Sequence, residues 1–176
     1  KLALWRQLLT QLELRGDERV LDMGCGRGAV LVTVAHLVPN GRVVGVDLWR
    51  TADQSGNREE ATARNAALEG VAERVELHTG DMTAMAFDSD SFDVVLSSVA
   101  IHNIKPASRR REAVDEAVRV LKPGGRLLVA DIQATGEYAL RLREVGMADV
   151  ATRGLGWRGW YGGPWMAISA VTAGKP

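Results

Sequence analysis

The feature that most limits what this chain can fold into is a glycine-rich turn between a short apolar run and an amphipathic stripe. Arg19-Val20-Leu21-Asp22 reads as a strand and leads into Gly24-Cys25-Gly26-Arg27-Gly28. Leu31, Val34, Ala35 and Val38 then recur at helical spacing until Pro39-Asn40-Gly41 stops them. A strand, a glycine turn and a helix in that order aim backbone N–H groups at one point, where an anionic group can dock. Glycine suits the turn because a Cβ would hold a ligand away from the backbone.

The alternation continues along the chain. Val43-Val44-Gly45-Val46 is long enough for a buried strand and too short for a helix. A helix is expected from Glu59 to Leu68, stopped by Gly70, and Val75 and Leu77 alternate with Glu76 and His78 as on a half-exposed edge strand. Phe92 to Leu96 forms the next strand. Val114, Ala117, Val118 and Leu121 make a helical stripe closed by Pro123-Gly124-Gly125, and Leu127-Leu128-Val129-Ala130 is strand-like. A helix over residues 137–145 precedes two strands near 148–152 and 166–172, with no helix between them. Ahead of all this, Leu2, Trp5, Leu9 and Leu12 form a stripe ended by Gly16. The pattern predicts an α/β doubly wound domain. Its seven-stranded sheet is mostly parallel, has helices on both faces and carries an antiparallel last strand. With 176 residues, the chain is read as one domain, 1–176.

Composition narrows the partners. Lys and Arg number 22 and Asp and Glu 22, so no global field points to nucleic acid or anionic lipid. The one basic run, Arg109-Arg110-Arg111, reads as a solvated helix face. A single cysteine, Cys25, excludes an intrachain disulfide or a multi-cysteine zinc site and agrees with a reducing, cytoplasmic compartment. No apolar run approaches the ~20 residues of a membrane span. Lys1 already sits in a helical pattern, so a preceding segment is expected; a membrane anchor or part of the acceptor site would lie there.

Two cofactors compete for the glycine turn. Gly24-Cys25-Gly26-Arg27-Gly28-Ala29 satisfies the dinucleotide pattern, and Asp47 lies about 20 residues on, where a ribose-binding acid is expected. Asp22 argues against a pyrophosphate, because its carboxylate adds negative charge just before the first glycine. It suits S-adenosylmethionine, which carries a sulfonium and an ammonium beside its carboxylate.

From these blocks the chain resembles the class I S-adenosylmethionine-dependent methyltransferases of small-molecule type. Val20 to Gly28 looks like their first motif, Val44-Gly45-Val46-Asp47 like the second, and Gly80-Asp81-Met82 like their adenine-binding turn. Phe92-Asp93-Val94-Val95-Leu96-Ser97-Ser98 resembles their fourth strand and Leu121-Lys122-Pro123-Gly124-Gly125 their turn into the fifth. The resemblance spans residues 19–131 with the blocks in family order. It implies that Asp47, with Leu48 beside it, holds the ribose hydroxyls. Asp81 would accept from the adenine amino group, and the Met82 amide would meet a ring nitrogen. Gly24, Gly26 and Gly28 would line the methionine end. The Ser97 carbonyl would help bind the ammonium, with Asp22 nearby. The implied reaction is methyl transfer to a small-molecule or lipid-like acceptor. A non-catalytic S-adenosylmethionine-binding module and an NAD-dependent reductase are the alternatives.

Other residues carry weaker signals. His102, in the loop after the fourth strand, is the candidate general base or a liner of the acceptor pocket. His36 and His78 read as surface or packing residues, and Cys25 lacks a base partner. Asp88-Ser89-Asp90-Ser91 lacks the glycine and terminal glutamate of a calcium loop, so no metal site is expected. Trp49 is placed near the adenosine. Trp157, Trp160, Tyr161 and Trp165 crowd a glycine-rich loop that reads as core packing, as a wall of the acceptor pocket or as a partner or membrane-surface contact.

Overall fold

Short apolar runs satisfy their backbone only by pairing, and seven of them pair here. The structure is a computed structural model that describes residues 2–52, 55–159 and 167–176. Strands β1 (Arg19–Met23), β2 (Arg42–Asp47), β3 (Val75–Thr79), β4 (Phe92–Ser98), β5 (Leu121–Asp131), β6 (Ala148–Gly154) and β7 (Ser169–Gly174) form one sheet ordered β3-β2-β1-β4-β5-β7-β6. The pairs from β3 through β5 are parallel, and β7 runs antiparallel to both β5 and β6. The helices are α1 (Leu2–Thr10), α2 (Ala29–Leu37), α3 (Glu59–Leu68), α4 (Arg110–Val120) and α5 (Thr135–Glu144).

Strand period divides the apolar side chains between two cores. Val20, Val43, Val94, Leu96 and Leu128 face one side, where Trp5, Leu8 and Leu9 of α1, Leu31 and Val34 of α2 and Ala66 of α3 cover them. Leu21, Val44, Val95, Leu127 and Val129 face the other, under Val114 and Ala117 of α4 and Tyr138 and Leu142 of α5. Burial of each Val or Leu contributes about 1.5–3 kcal/mol, which is why continuous apolar strands sit in the centre and β6, mostly exposed, at an edge.

Two boundaries differ from the periodicity. Leu121 is not the end of α4. Its amide position is extended, and it opens β5 by pairing with Phe92, so the Lys122–Gly125 segment is a bulged strand entrance rather than a turn. The last strand starts at Ser169, later than the apolar pattern suggested, because its ladder to β5 begins opposite Asp131. The aromatic loop reading falls largely on residues 160–166, outside the described residues.

The order reverses between β1 and β4, whose outward crossovers go to opposite edges of the sheet. Ligand crevices in open α/β sheets form at the C-terminal ends of such strands. Met23 and Ser97 are register partners at that point.

Candidate functional site

The glycine turn leaves β1 with three left-handed residues, Gly24 at φ 72°, Gly26 at φ 50° and Gly28 at φ 81°, a backbone that L side chains adopt only with strain. Gly24 is also sterically fixed: a Cβ there would lie 2.3 Å from the Ala100 Cβ. The loop after β4 is therefore seated on the glycine turn. It leaves the strand through Val99 at φ 51°, an unfavourable conformation for a β-branched residue, held by its N–H donating to the Ala130 carbonyl at 2.8 Å.

Asp22 is the anomaly of the site. It is 1% exposed, and neither carboxylate oxygen has a hydrogen-bond partner among the described residues. Burial first, and the nearby Asp47 charge second, push its pKa up to about 7; the Leu31 amide offsets part of this without closing a hydrogen bond. A buried, unpartnered carboxylate facing a second carboxylate is costly unless a cation joins them. This environment fits an ammonium-bearing ligand and opposes a pyrophosphate.

Asp47, at the end of β2, is braced by the chain. Its Oδ2 accepts from the Gly26 amide at 2.9 Å, and Oδ1 from the Trp49 amide at 2.7 Å and Asn57 Nδ2 at 3.1 Å. The buried Asn57 leaves its own Oδ1 unpaired, a second acceptor beside the first. Leu48 is 38% exposed at this end. Trp49 donates from its indole to the Thr79 hydroxyl at 2.8 Å. Thr62 on α3 donates to the Gly26 carbonyl at 2.6 Å, tying the turn to the next helix.

Asp81 follows β3 and forms a tight turn, accepting from the Thr83 amide at 2.9 Å and the Thr83 hydroxyl at 2.8 Å. Arg109 lies 3.5 Å from its other oxygen and donates to the Thr83 hydroxyl as well. Burial works against ionisation, but Thr83 and Arg109 hold Asp81 below the usual carboxylate range. The Met82 methyl lies 3.0 Å from where a Gly24 Cβ would sit, so adenine-end and methionine-end residues converge. The Ser97 hydroxyl is committed to the Met23 carbonyl at 2.9 Å, which fixes β4 against β1.

The basic run is paired rather than simply solvated. Besides Arg109, Arg110 donates to the His102 carbonyl at 2.7 Å and Arg111 pairs with Glu144. Arg109 also pairs with Glu112 at 3.0 Å, and charge alone could not show the contacts with Asp81, His102 and Glu144, which lie on other elements. Cys25 is buried, and its thiol is pushed up by burial and then by Asp22 and Asp47, which removes it as a nucleophile. His36 meets Glu69 at 3.6 Å and His78 meets Glu76 at 2.6 Å, both at the surface. Asp90 pairs with Lys175 at 2.6 Å, and among the described residues no group of three metal-ligating side chains comes together. No helix of the described residues is long and apolar enough to cross a membrane.

His102 lies in a short 3-10 turn, Ile101–Asn103, two residues beyond Ala100. Its Nδ1 is 2.6 Å from an oxygen of Asp131, the last residue of β5, and its backbone N–H donates to the other oxygen at 3.1 Å. Sequence reasoning did not single out Asp131. The available signal was its position, an acid at the C-terminal end of a central parallel strand.

A family model described as a methyltransferase domain matches residues 21–129, well over half of the chain. A sterol 4-C-methyltransferase of Caenorhabditis elegans is 30% identical over 136 residues, covering 77% of this chain and 37% of that protein. Nocamycin O-methyltransferase of Saccharothrix syringae is 39% identical over 125 residues, 69% of this chain and 40% of that one. The chain thus spans less than half the length of these two relatives. Among solved structures, the cyclase SpnF superimposes with a TM-score of 0.79 at 20% identity, covering 99% of this chain and 81% of that one.

Proposed function

This chain belongs to the class I S-adenosylmethionine-dependent methyltransferases, and on that premise we propose that it methylates a small-molecule, lipid-like acceptor at the ends of β1, β2 and β4. The observation that carries the reading is Asp22, a buried carboxylate with no partner that needs a cation. The names of the two relatives, a sterol and a nocamycin methyltransferase, support the acceptor class.

Asp22 would compensate the amino-acid ammonium with help from the Ser97 carbonyl, and Gly24, Gly26 and Gly28 would line the methionine end. Asp47, with Asn57 and Leu48 beside it, would hold the ribose. Asp81 and the Met82 amide would hold the adenine, Arg109 shifting within its network to admit it. Bound S-adenosylmethionine supplies a methyl group already activated by its sulfonium. What is left to the protein is alignment of the acceptor and exclusion of water, and the loop of residues 99–103, seated on the glycine turn, does both. His102 on that loop is the catalytic candidate, with Nε2 available to take a proton.

Calorimetry tests the cofactor assignment. S-adenosylmethionine and S-adenosylhomocysteine should bind and NADH should not; tight NADH binding without either would overturn the class of reaction. A second reading, binding without methyl transfer, draws on the same fold in the cyclase SpnF. Incorporation of radiolabelled methyl from the cofactor into a metabolite extract separates the two.

A further inference from the structure

We propose that Asp131 positions His102 as a proton acceptor, and that the methyl acceptor is therefore a group that loses a proton as it is methylated, a hydroxyl or an activated C–H carbon. The inference rests on the methyltransferase reading above.

Asp131 is fully buried, so its polar atoms must find partners within the chain. Oδ1 accepts from the Ile132 amide at 2.7 Å and lies 2.6 Å from His102 Nδ1; Oδ2 accepts from the His102 amide at 3.1 Å and from the Tyr138 hydroxyl at 3.4 Å. Two amides and a phenol already donate to this group, so it meets the ring as an acceptor. An acceptor at Nδ1 favours the ring form with hydrogen on Nδ1, which leaves the Nε2 lone pair free. Nε2 has no partner among the described residues. The Nδ1 contact is at charge-pair distance but out of line for a hydrogen bond, a geometry that free enzymes commonly show before the reacting complex forms.

One carboxylate thus grips both the backbone and the ring of His102, while Arg110 holds its carbonyl. A loop anchor would need only the amide contact; the ring contact is surplus to that role. The side chain is 14% exposed, open enough to meet an acceptor yet mostly screened from water. As the acceptor atom bonds to the methyl carbon, the carbon–sulfur pair stays on sulfur and the acceptor's proton passes to Nε2. The imidazolium so formed faces Asp131 and later releases its proton to solvent. A thiol, which ionises readily, does not need this device.

Asp131→Asn separates the roles. A carboxamide fills the same space but can donate to Nδ1, which moves the ring hydrogen to Nε2 and blocks it; the same exchange in Ser–His–Asp triads costs about 10⁴ in turnover. Nitrogen-15 histidine spectra in mildly alkaline solution, assigned with His102→Ala, should show Nδ1–H in the wild type and Nε2–H in the variant. Affinity for S-adenosylhomocysteine should stay within about twofold. Transfer from radiolabelled cofactor to 4-hydroxybenzoate, an alkyl alcohol or a 1,3-diketone should fall at least ~10²-fold, the scale of general-base catalysis. Nε2–H in the wild type overturns the proposal, and this measurement does not depend on the variant folding. So does an unchanged transfer rate in the variant, or a wild type that methylates an alkyl thiol and none of the three hydroxyl or carbon probes. Failure of the wild type to bind S-adenosylhomocysteine would remove the methyltransferase reading instead, while the ring form would still decide the Asp131–His102 pairing.

Discussion

Asp22 and Asp131 sit near the C-terminal ends of parallel strands, and both are out of solvent, at 1% and 0% exposure. Asp131 is surrounded by donors, two amides and a phenol, with the His102 ring nitrogen 2.6 Å away. Asp22 closes no hydrogen bond among the described residues, the Leu31 amide offsets only part of its burial, and a second carboxylate lies near it. The first is an acceptor the chain satisfies by itself. The second would be completed by a bound cation under the proposed function. Burial alone therefore does not separate a structural acid from a ligand-binding one; the inventory of partners does.

The sharpest way to break this comparison is to remove each carboxylate. Asp131→Ala leaves a phenol and two amides without their common acceptor. It should destabilise the protein by about 3–5 kcal/mol in urea unfolding at neutral pH, since each buried donor left unsatisfied costs about 1–3 kcal/mol. A loss under 1 kcal/mol would show that the carboxylate is dispensable to the loop.

Asp22→Asn should act in the opposite direction and depend on pH. The folded-state pKa of Asp22 is raised from 3.8 to about 7. Between those values the folded chain keeps a proton that the unfolded chain has released, so stability falls as pH rises across that window and stays low above it. The full effect is on the order of 4 kcal/mol. Thermal melts of the cofactor-free protein from pH 5 to 8 should show a decline in the wild type that the Asn variant lacks. Adding S-adenosylhomocysteine should narrow the gap, because its ammonium compensates the ionised Asp22. Parallel melting curves for the two proteins would mean the carboxylate already has a partner.

Asp47→Ala should weaken S-adenosylmethionine by about 1.5–3 kcal/mol, as for hydrogen bonds to a charged group. Asp47 lies between the two extremes, half satisfied by the chain through Gly26, Trp49 and Asn57. Unchanged affinity by calorimetry would assign it wholly to bracing the glycine turn. The smallest effect belongs to Arg109→Ala. Its partly exposed contact with Asp81 should change cofactor affinity by under about 1 kcal/mol; a tenfold change would make Arg109 a true ligand contact.

Much of this molecule was legible because its signals are local. The strand from Arg19, the left-handed glycines and the stripe of Leu31 and Val34 are neighbours in sequence, and their order alone predicts a crevice lined by Asp22 and Asp47. Leu121 misled the helical reading because a residue at the end of an apolar stripe fits either element. Pairing with Phe92, 29 residues away, decided between them. Arg109 to Arg111 looked like a solvated face because sequence shows charge and hides the acid that meets it.

The sequence by itself determined the doubly wound sheet and the place of its glycine turn, since periodicity and a strand–glycine–helix order are properties of contiguous residues. The tertiary structure decided which acids are satisfied. Asp131 reaches His102 across 29 residues only because β4 and β5 lie side by side in register, Ser98 against Ala130, and so deliver their following loops to one edge. Among the described residues Asp22 stays without a hydrogen-bond partner, because the fold brings the Asp47 carboxylate near it. Hydrogen-bond and charge partners act over a few ångströms in space, a distance that separation along the chain does not encode.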